Sequence, residues 1–429
     1  MAPFGSDMAP DPHHATTPQD LVEQLRLLKA WSGLTYRQLQ RQAAREAEIL
    51  PYSTIASVLR RTALPRLEFV RVYVRACGVA PERVTEWVTA WRRIAMGEAE
   101  LCPDAGRISE LDLRRLAAST LRLRRLEDRY GGGAVADQAI AVQERWRERV
   151  DGAPARALRL VAEDAVSAGV ISFSAGRDVA AERLGRAGLE MARAAAAVDV
   201  EIYALSHQVA RECEAGRLGG TGRLGEAVAM ARRAQSLGKG VMAPRVLSLL
   251  AAQEAMCLAA AGDGAGFWRA MQTGLEWFVR GTDGCPDWCE WFDEGGMLAA
   301  NAAASEAFHR WDVAAACYEK ALERSAVRYG RDRLRHRLRL ALCLLATGEV
   351  EQACHHGALC LPDVAEVADV RVDQLVTVLR RELSGIRCAA AADFADRCDD
   401  LFEGTPERPG DVDGVRDLII TPGTRSART

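Results

Sequence analysis

Apolar residues recur at three- and four-residue spacing along most of the chain, and long stretches lack the strict alternation of a half-buried strand. The pattern therefore predicts packed helices. Leu21, Leu25 and Leu28 make the first stripe, and Gly33 stops that helix after Ser32. Thr35 is placed to cap a second helix whose inner face carries Leu39 and Ala43. A third helix follows Pro51-Tyr52-Ser53, with Ile55, Val58 and Leu59 on one face and Thr54, Ser57, Arg60 and Arg61 on the other. Leu67, Val70, Val74 and Cys77 predict a fourth helix closed by Gly78, and Val84, Trp87, Val88 and Trp91 a fifth.

Beyond Gly97 the periodicity stops for about a dozen residues. It resumes at Leu111 with a long arginine-rich helix that ends at Gly131-Gly132-Gly133. From there to about residue 403, helices alternate with short Gly-containing turns, and small residues return at fixed places. Gly176-Arg177-Asp178 leads to Ala181 and Gly188-Leu189, Trp311-Asp312 to Ala315, Tyr318 and Ala321-Leu322, and Gly348-Glu349 to Ala353 and Ala358-Leu359. Small residues let two antiparallel helices approach closely, and stacked pairs bury each other's apolar faces. The expected architecture is all-α: a leader over 1–19, a small five-helix domain over 20–96, a linker over 97–110, an α-solenoid of helix pairs over 111–403 and a tail over 404–429.

Charge sharpens this division. The whole chain of 429 residues carries −3, yet residues 20–96 hold thirteen Arg/Lys against seven Asp/Glu, a surplus of six. A basic module on an acidic remainder fits a polyanionic partner for the first module alone. Nearly all the positive charge is arginine, with lysine only at Lys29, Lys239 and Lys320. Met1 to Gln19 lacks the apolar core of a signal peptide, and the longest uncharged runs fall short of a bilayer span. A cytoplasmic protein is expected.

The segment Ser32-Gly33-Leu34-Thr35-Tyr36-Arg37-Gln38-Leu39, followed by Ser53-Thr54-Ile55 and Arg60-Arg61, resembles the Cro- and phage-repressor-type helix-turn-helix of the xenobiotic-response-element class. The likeness is closest to the variant common in actinobacteria. It implies that the third helix enters the major groove of double-stranded DNA. Tyr52, Ser53, Thr54 and Ser57 would then face base edges, and Arg37, Arg60 and Arg61 phosphates, with Gln38 beside them on the second helix. Tyr36 stands where the family has glutamine, and the connection from Ala44 to Tyr52 is longer than the usual turn. The later helix pairs resemble tetratricopeptide-type repeats. The combination resembles a large group of actinobacterial regulators that sense a peptide, small molecule or protein partner and act as homodimers.

Candidate chemistry in the repeat region is sparse. Trp288, Trp291, Asp293, Glu294 and Tyr318, with Tyr329, are candidates to line an acidic concave effector surface, the competing reading being ordinary repeat core. Cys285 and Cys289, and the group Cys354-His355-His356 with Cys360, offer metal-type residues. A structural zinc site needs four converging ligands, and cysteines scattered through helices read as small hydrophobes, so no metal or cofactor is expected. Phosphate-loop, nucleophile-elbow, metalloprotease and dinucleotide motifs have no supporting context, which argues against an enzyme. Two alternatives to a ligand-responsive regulator stay open: an interaction adaptor with little DNA affinity, and a constitutive DNA-binding protein whose repeats only dimerise.

Overall fold

The computed structural model describes residues 10–12, 15, 18–45, 48–60, 64–95, 108–150, 152–217, 223–326 and 329–402. Within them the protein is all-α, with nineteen α-helices and no strand. Most of the expected leader and linker, Arg61, residues 218–222 and the tail lie outside the described residues. Residues 1–107 and 108–429 form two compact units. No described helix is long and apolar enough to cross a membrane.

The first unit contains α1 (Pro18–Ser32), α2 (Tyr36–Arg45), α3 (Tyr52–Arg60), α4 (Leu67–Ala76) and α5 (Pro81–Ala95). Its core is made by Leu21, Leu25 and Leu28 of α1, Leu39 of α2, Ile55 and Leu59 of α3, Val70 and Tyr73 of α4, and Trp87 of α5, all buried. Gly33 ends α1 with φ near +64°, a conformation that a side chain disfavours. α2 starts with a reciprocal cap: the Gln38 amide N–H donates to the Thr35 hydroxyl at 3.3 Å, and the Thr35 amide N–H donates to Gln38 Oε1 at 2.8 Å. The Tyr73 hydroxyl donates to the Leu25 carbonyl at 3.1 Å, and Arg26 Nε donates to the Leu59 carbonyl at 2.8 Å. These bonds tie α4 and α1 to their neighbours and satisfy an orphan carbonyl at the end of α3.

The second unit opens with α6 (Glu110–Tyr130) and α7 (Ala136–Arg147). Five pairs follow: α8 (Ala155–Ser174) with α9 (Asp178–Ala194), α10 (Val198–Arg217) with α11 (Leu224–Gly238), α12 (Pro244–Ala260) with α13 (Gly264–Phe278), α14 (Glu294–Ala307) with α15 (Trp311–Arg324), and α16 (Gly330–Ala346) with α17 (Val350–Glu366). α18 (Val370–Ser384) and α19 (Ala389–Phe402) complete it. Asp263, Asp293 and Asp369 cap α13, α14 and α18, and Ser109 with Asp112 forms a capping box on α6. The small residues act as their spacing predicts. A Cβ at Gly188 of α9 would lie 2.6 Å from Val166 Cγ2 of α8, so only glycine permits this helix separation.

The pairs do not simply march away from their start. α16 packs against α6, the Ala368 amide N–H donates to the Tyr130 carbonyl at 2.8 Å, and the Gly133 amide N–H donates to the Ala368 carbonyl at 2.8 Å. Arg331 of α16 pairs with Glu127 of α6, and Arg371 of α18 reaches Asp178 of α9 at 3.0 Å. The last pairs thus return to the first and close the stack upon itself.

Candidate nucleic-acid interface

Seven of the eight residues expected to meet DNA fall on one surface of the first unit. Arg37 and Gln38 on α2 and Tyr52, Ser53, Thr54, Ser57 and Arg60 on α3 are all exposed, while Leu39, Ile55 and Leu59 anchor the same helices from below. Arg61 lies outside the described residues. The Arg37 guanidinium stands 6.0 Å from the Tyr52 ring centroid, a cation–π approach that joins the two helices at the surface.

Three contributors were not anticipated. Gln40 of α2 accepts a hydrogen bond from the Tyr52 amide N–H at 2.9 Å, so a side chain twelve residues away fixes the start of α3. Arg41 and Arg45 extend the Arg37 row by successive turns and are exposed. Their i, i+4, i+8 spacing is readable in the sequence, whereas the Gln40 contact depends on the path of the intervening connection.

The electrostatics of this surface are one-sided. Neither α2 nor α3 contains a carboxylate. Among the described residues, Arg37, Arg41, Arg45 and Arg60 have no carboxylate partner: Arg41 Nε donates to the Arg37 carbonyl at 3.4 Å, and Arg45 to Gln42 Oε1 at 3.4 Å. The nearby Glu48 is turned to Arg75 of α4 at 3.6 Å. Hydroxyls of Ser53 and Thr54 flank the α3 N-terminus, where free amide N–H groups carry partial positive charge. The surface offers donors and positive charge to an array of anions, and the two helices that form it contribute no negative charge.

The expected effector lining is dispersed instead. Trp288 is buried and stacks on Tyr203 at 4.6 Å, with Arg124 5.3 Å from the same tyrosine ring. Tyr318 and Tyr329 are buried too, Tyr318 within the core of the later pairs beside His336. Asp293 is spent on structure, accepting from the Gly296 and Ala326 amides at 3.0 and 3.1 Å, and Glu294 pairs with Arg324 at 3.2 Å. Trp291 alone of these aromatics has a substantially exposed ring, packed edge-on to Phe292. Trp288 and Tyr318 are therefore core residues, because stacking and helix packing enclose their rings.

Cys285 is half-buried next to the buried Cys289; its thiol is lowered by a hydrogen bond with Cys289 and by Arg245, and burial pushes the Cys289 thiol up. Cys354 and Cys360 are buried on α17. Among the described residues, no group of three His, Cys, Asp or Glu side chains is placed to hold a metal ion.

The strongest polar concentration of the second unit is an inward ionic network. Arg217 and Arg339 both bind Glu306, at 2.6 and 2.8 Å, and Arg339 also reaches Glu214 at 3.6 Å. Burial raises the Glu214 carboxyl, but Arg217, Arg339 and Arg335 outweigh it and hold the group at about 2. Asp164 has less compensation: burial lifts it to about 7 despite a 2.7 Å hydrogen bond with Thr120. Outside this network an open groove between α7 and α9 is lined by charges of both signs, among them Glu144, Arg147, Glu182 and Arg186, with no aromatic.

No protein-family model matches the chain, and no curated protein matches it significantly.

Proposed function

We propose that this protein is a sequence-specific DNA-binding transcription regulator of the cytoplasm. In this reading α3 of a Cro-type helix-turn-helix enters the major groove, and the repeat unit dimerises and senses an effector. The observation that carries the reading is the α2–α3 surface, whose two helices contain no carboxylate: among the described residues its four exposed arginines, Arg37, Arg41 and Arg45 on α2 and Arg60 at the end of α3, have no carboxylate partner, and the N-terminus of α3 is rich in hydroxyls. Arginines on the rim match phosphates, and Ser53, Thr54 and Ser57 are short enough to let the backbone approach base edges closely. A single such module reads a short site, so a two-fold dimer reading two half-sites roughly 34 Å apart accords with the fold. Sensing by the repeat unit draws its support from the stacked helix pairs. Trp291 is the surface candidate for that role, since Trp288 and Tyr318 are enclosed.

Genome-fragment selection followed by footprinting at several salt concentrations tests the reading. The expected result is a recurrent two-fold site whose binding constant falls by about 0.9 logarithmic units per phosphate neutralised for each tenfold rise in salt. Salt-insensitive or absent DNA binding overturns it and leaves the adaptor reading, in which the repeats bind a protein and the first unit has no DNA partner.

A further inference from the structure

α13 is unlike the other second helices of the pairs. α9, α11 and α15 pack against both their pair mate and the helix that follows. α13 makes its main contact with α12 alone, because the segment 279–293, with its short 3-10 turn at Asp287–Cys289, separates it from α14. One face of α13 packs inward through Phe267, Ala270 and Gly274. The opposite face carries Trp268, Gln272, Leu275 and Val279, at i, i+4, i+7 and i+11, which places all four in one line along the helix. Trp268 is 60% exposed, Leu275 54% and Val279 73%. Three large apolar side chains in one row on the outside of an otherwise charged surface mark an interaction site rather than scattered exposure.

The flanking charges indicate what covers the row. Arg269 and Glu276 lie seven residues apart on the same side of it, and among the described residues neither has an ion-pair partner; Glu276 accepts only a 3.3 Å hydrogen bond from Gln272. When two identical helices pair antiparallel about a two-fold axis, each flank meets the same flank of the other copy, with sequence order reversed. Arg269 of one copy then faces Glu276 of the other, twice, while Trp268 meets Val279 and Gln272 meets Leu275. In a parallel pairing the two-fold axis runs along the seam, so the flank of Arg269 and Glu276 meets the other flank of the partner helix and the ion pairs are lost. The row is thus complementary to itself in one orientation only.

We infer that α13 is the seam of a homodimer, two copies pairing antiparallel through Trp268, Leu275 and Val279, with reciprocal Arg269–Glu276 ion pairs. The inference rests on the reading of the repeat unit as the dimerising body and names the surface it uses. A helix of 15 residues spans about 22 Å, so the seam lies at the small end of the range around roughly 800 Å² per partner, and the dimer dissociates at micromolar concentration.

Sedimentation velocity of the full chain from about 1 to 100 μM, with reductant and without DNA, tests this independently of DNA binding. The wild type is expected to shift from monomer to dimer over that range. Leu275→Glu, which sets two carboxylates into the seam, weakens association on the order of a hundredfold, and Arg269→Glu or Glu276→Arg alone weakens it about tenfold. The double exchange Arg269→Glu with Glu276→Arg restores wild-type association. An equimolar mixture of the two single variants forms a heterodimer in preference to either homodimer. All the substituted side chains are exposed, and matching circular dichroism melts confirm that each variant is folded. A wild type that stays monomeric, a dimer unaffected by Leu275→Glu, or single variants showing no preference for each other overturns the seam. So does a dimer that appears only after removal of residues 403–429, since the occupant of the row is then the chain's own tail.

Discussion

Arginine occurs in both units, in opposite surroundings. On α2 and α3 of the first unit, Arg37, Arg41, Arg45 and Arg60 stand in solvent, with no carboxylate partner among the described residues. In the second unit Arg217, Arg331 and Arg339 are largely buried, and each touches two or more carboxylates from different helices. An exposed cation contributes little to stability and keeps its charge for a partner, whereas a buried ion pair is costly to break because the surviving charge is left without solvent or partner. Composition alone therefore assigns no role to an arginine-rich chain. The carboxylates that accompany each arginine do.

The largest expected effect falls on the buried side. Arg331 meets Glu127, Asp128 and Asp332, and lies 4.0 Å from Asp369, so Arg331→Met strands several carboxylates where α16 closes onto α6. The loss is about 3–5 kcal/mol of unfolding free energy, read as a lower urea midpoint. Arg331→Lys restores little of it, since an ammonium lacks the planar fork that serves several carboxylates at once. An unchanged midpoint for Arg331→Met removes the distinction between the two classes of arginine.

Next is the exposed side. Replacing Arg37, Arg41, Arg45 and Arg60 together by alanine changes the unfolding free energy by no more than about 0.5 kcal/mol per site, as expected of surface positions. DNA affinity falls by roughly two to three orders of magnitude, and the salt slope shrinks by about 0.9 for each phosphate that is no longer neutralised. A variant that melts much lower yet binds DNA normally reverses the assignment.

Protonation divides the buried carboxylates of the second unit among themselves. The folded Asp164 carboxyl holds its proton up to about pH 7, while in the unfolded chain it releases it near 3.8. The folded state therefore binds the extra proton between those values, and its stability falls as pH rises through that window. Asp164→Asn removes this slope and raises stability at pH 8 relative to pH 5 by roughly 2 kcal/mol compared with the wild type. Glu214 acts in the other direction: held at about 2 when folded against 4.5 as a free side chain, it stabilises fully above pH 4.5 and loses that contribution as pH falls toward 2. Unfolding curves from pH 5 to 8 that are parallel for wild type and Asp164→Asn refute the Asp164 assignment.

What the sequence made legible follows from periodicity. The stripes of α1 to α5, the Thr35 cap and the starts of α9, α15 and α17 after Arg177, Arg310 and Glu349 are local features, written within a few residues of where they act. The closure of the second unit was not legible: Arg331 and Glu127 lie some two hundred residues apart, and an ion pair across such a distance leaves no spacing to read. Trp288 and Tyr318 were open between groove lining and repeat core for a related reason. The burial of Trp288 is decided by Tyr203, a partner in a helix far earlier in the chain. In the candidate interface, residue types identified the helices and their outer face, while the hydrogen bond that seats α3 came from Gln40, an unremarkable residue by composition.

Gln40 gives the smallest predicted effect and the finest test, because it belongs to both sides of the comparison. Its side-chain oxygen satisfies the Tyr52 amide at the start of α3, a structural task, yet it stands on the same exposed face as Arg37 and Arg41. Gln40→Ala leaves that amide to water and costs about 1 kcal/mol, in the range of a lost N-cap. Gln40→Glu keeps an acceptor at the same place, and its charge favours a helix N-terminus, so stability stays within a few tenths of a kcal/mol of wild type. The same carboxylate puts a negative charge on two helices that otherwise hold none and repels phosphate, so DNA affinity drops severalfold although the fold is intact. Chemical unfolding and DNA binding measured on the two variants should therefore move in opposite rank order: alanine the less stable, glutamate the weaker binder. If glutamate binds DNA as tightly as wild type, the α2–α3 face does not lie against the phosphates.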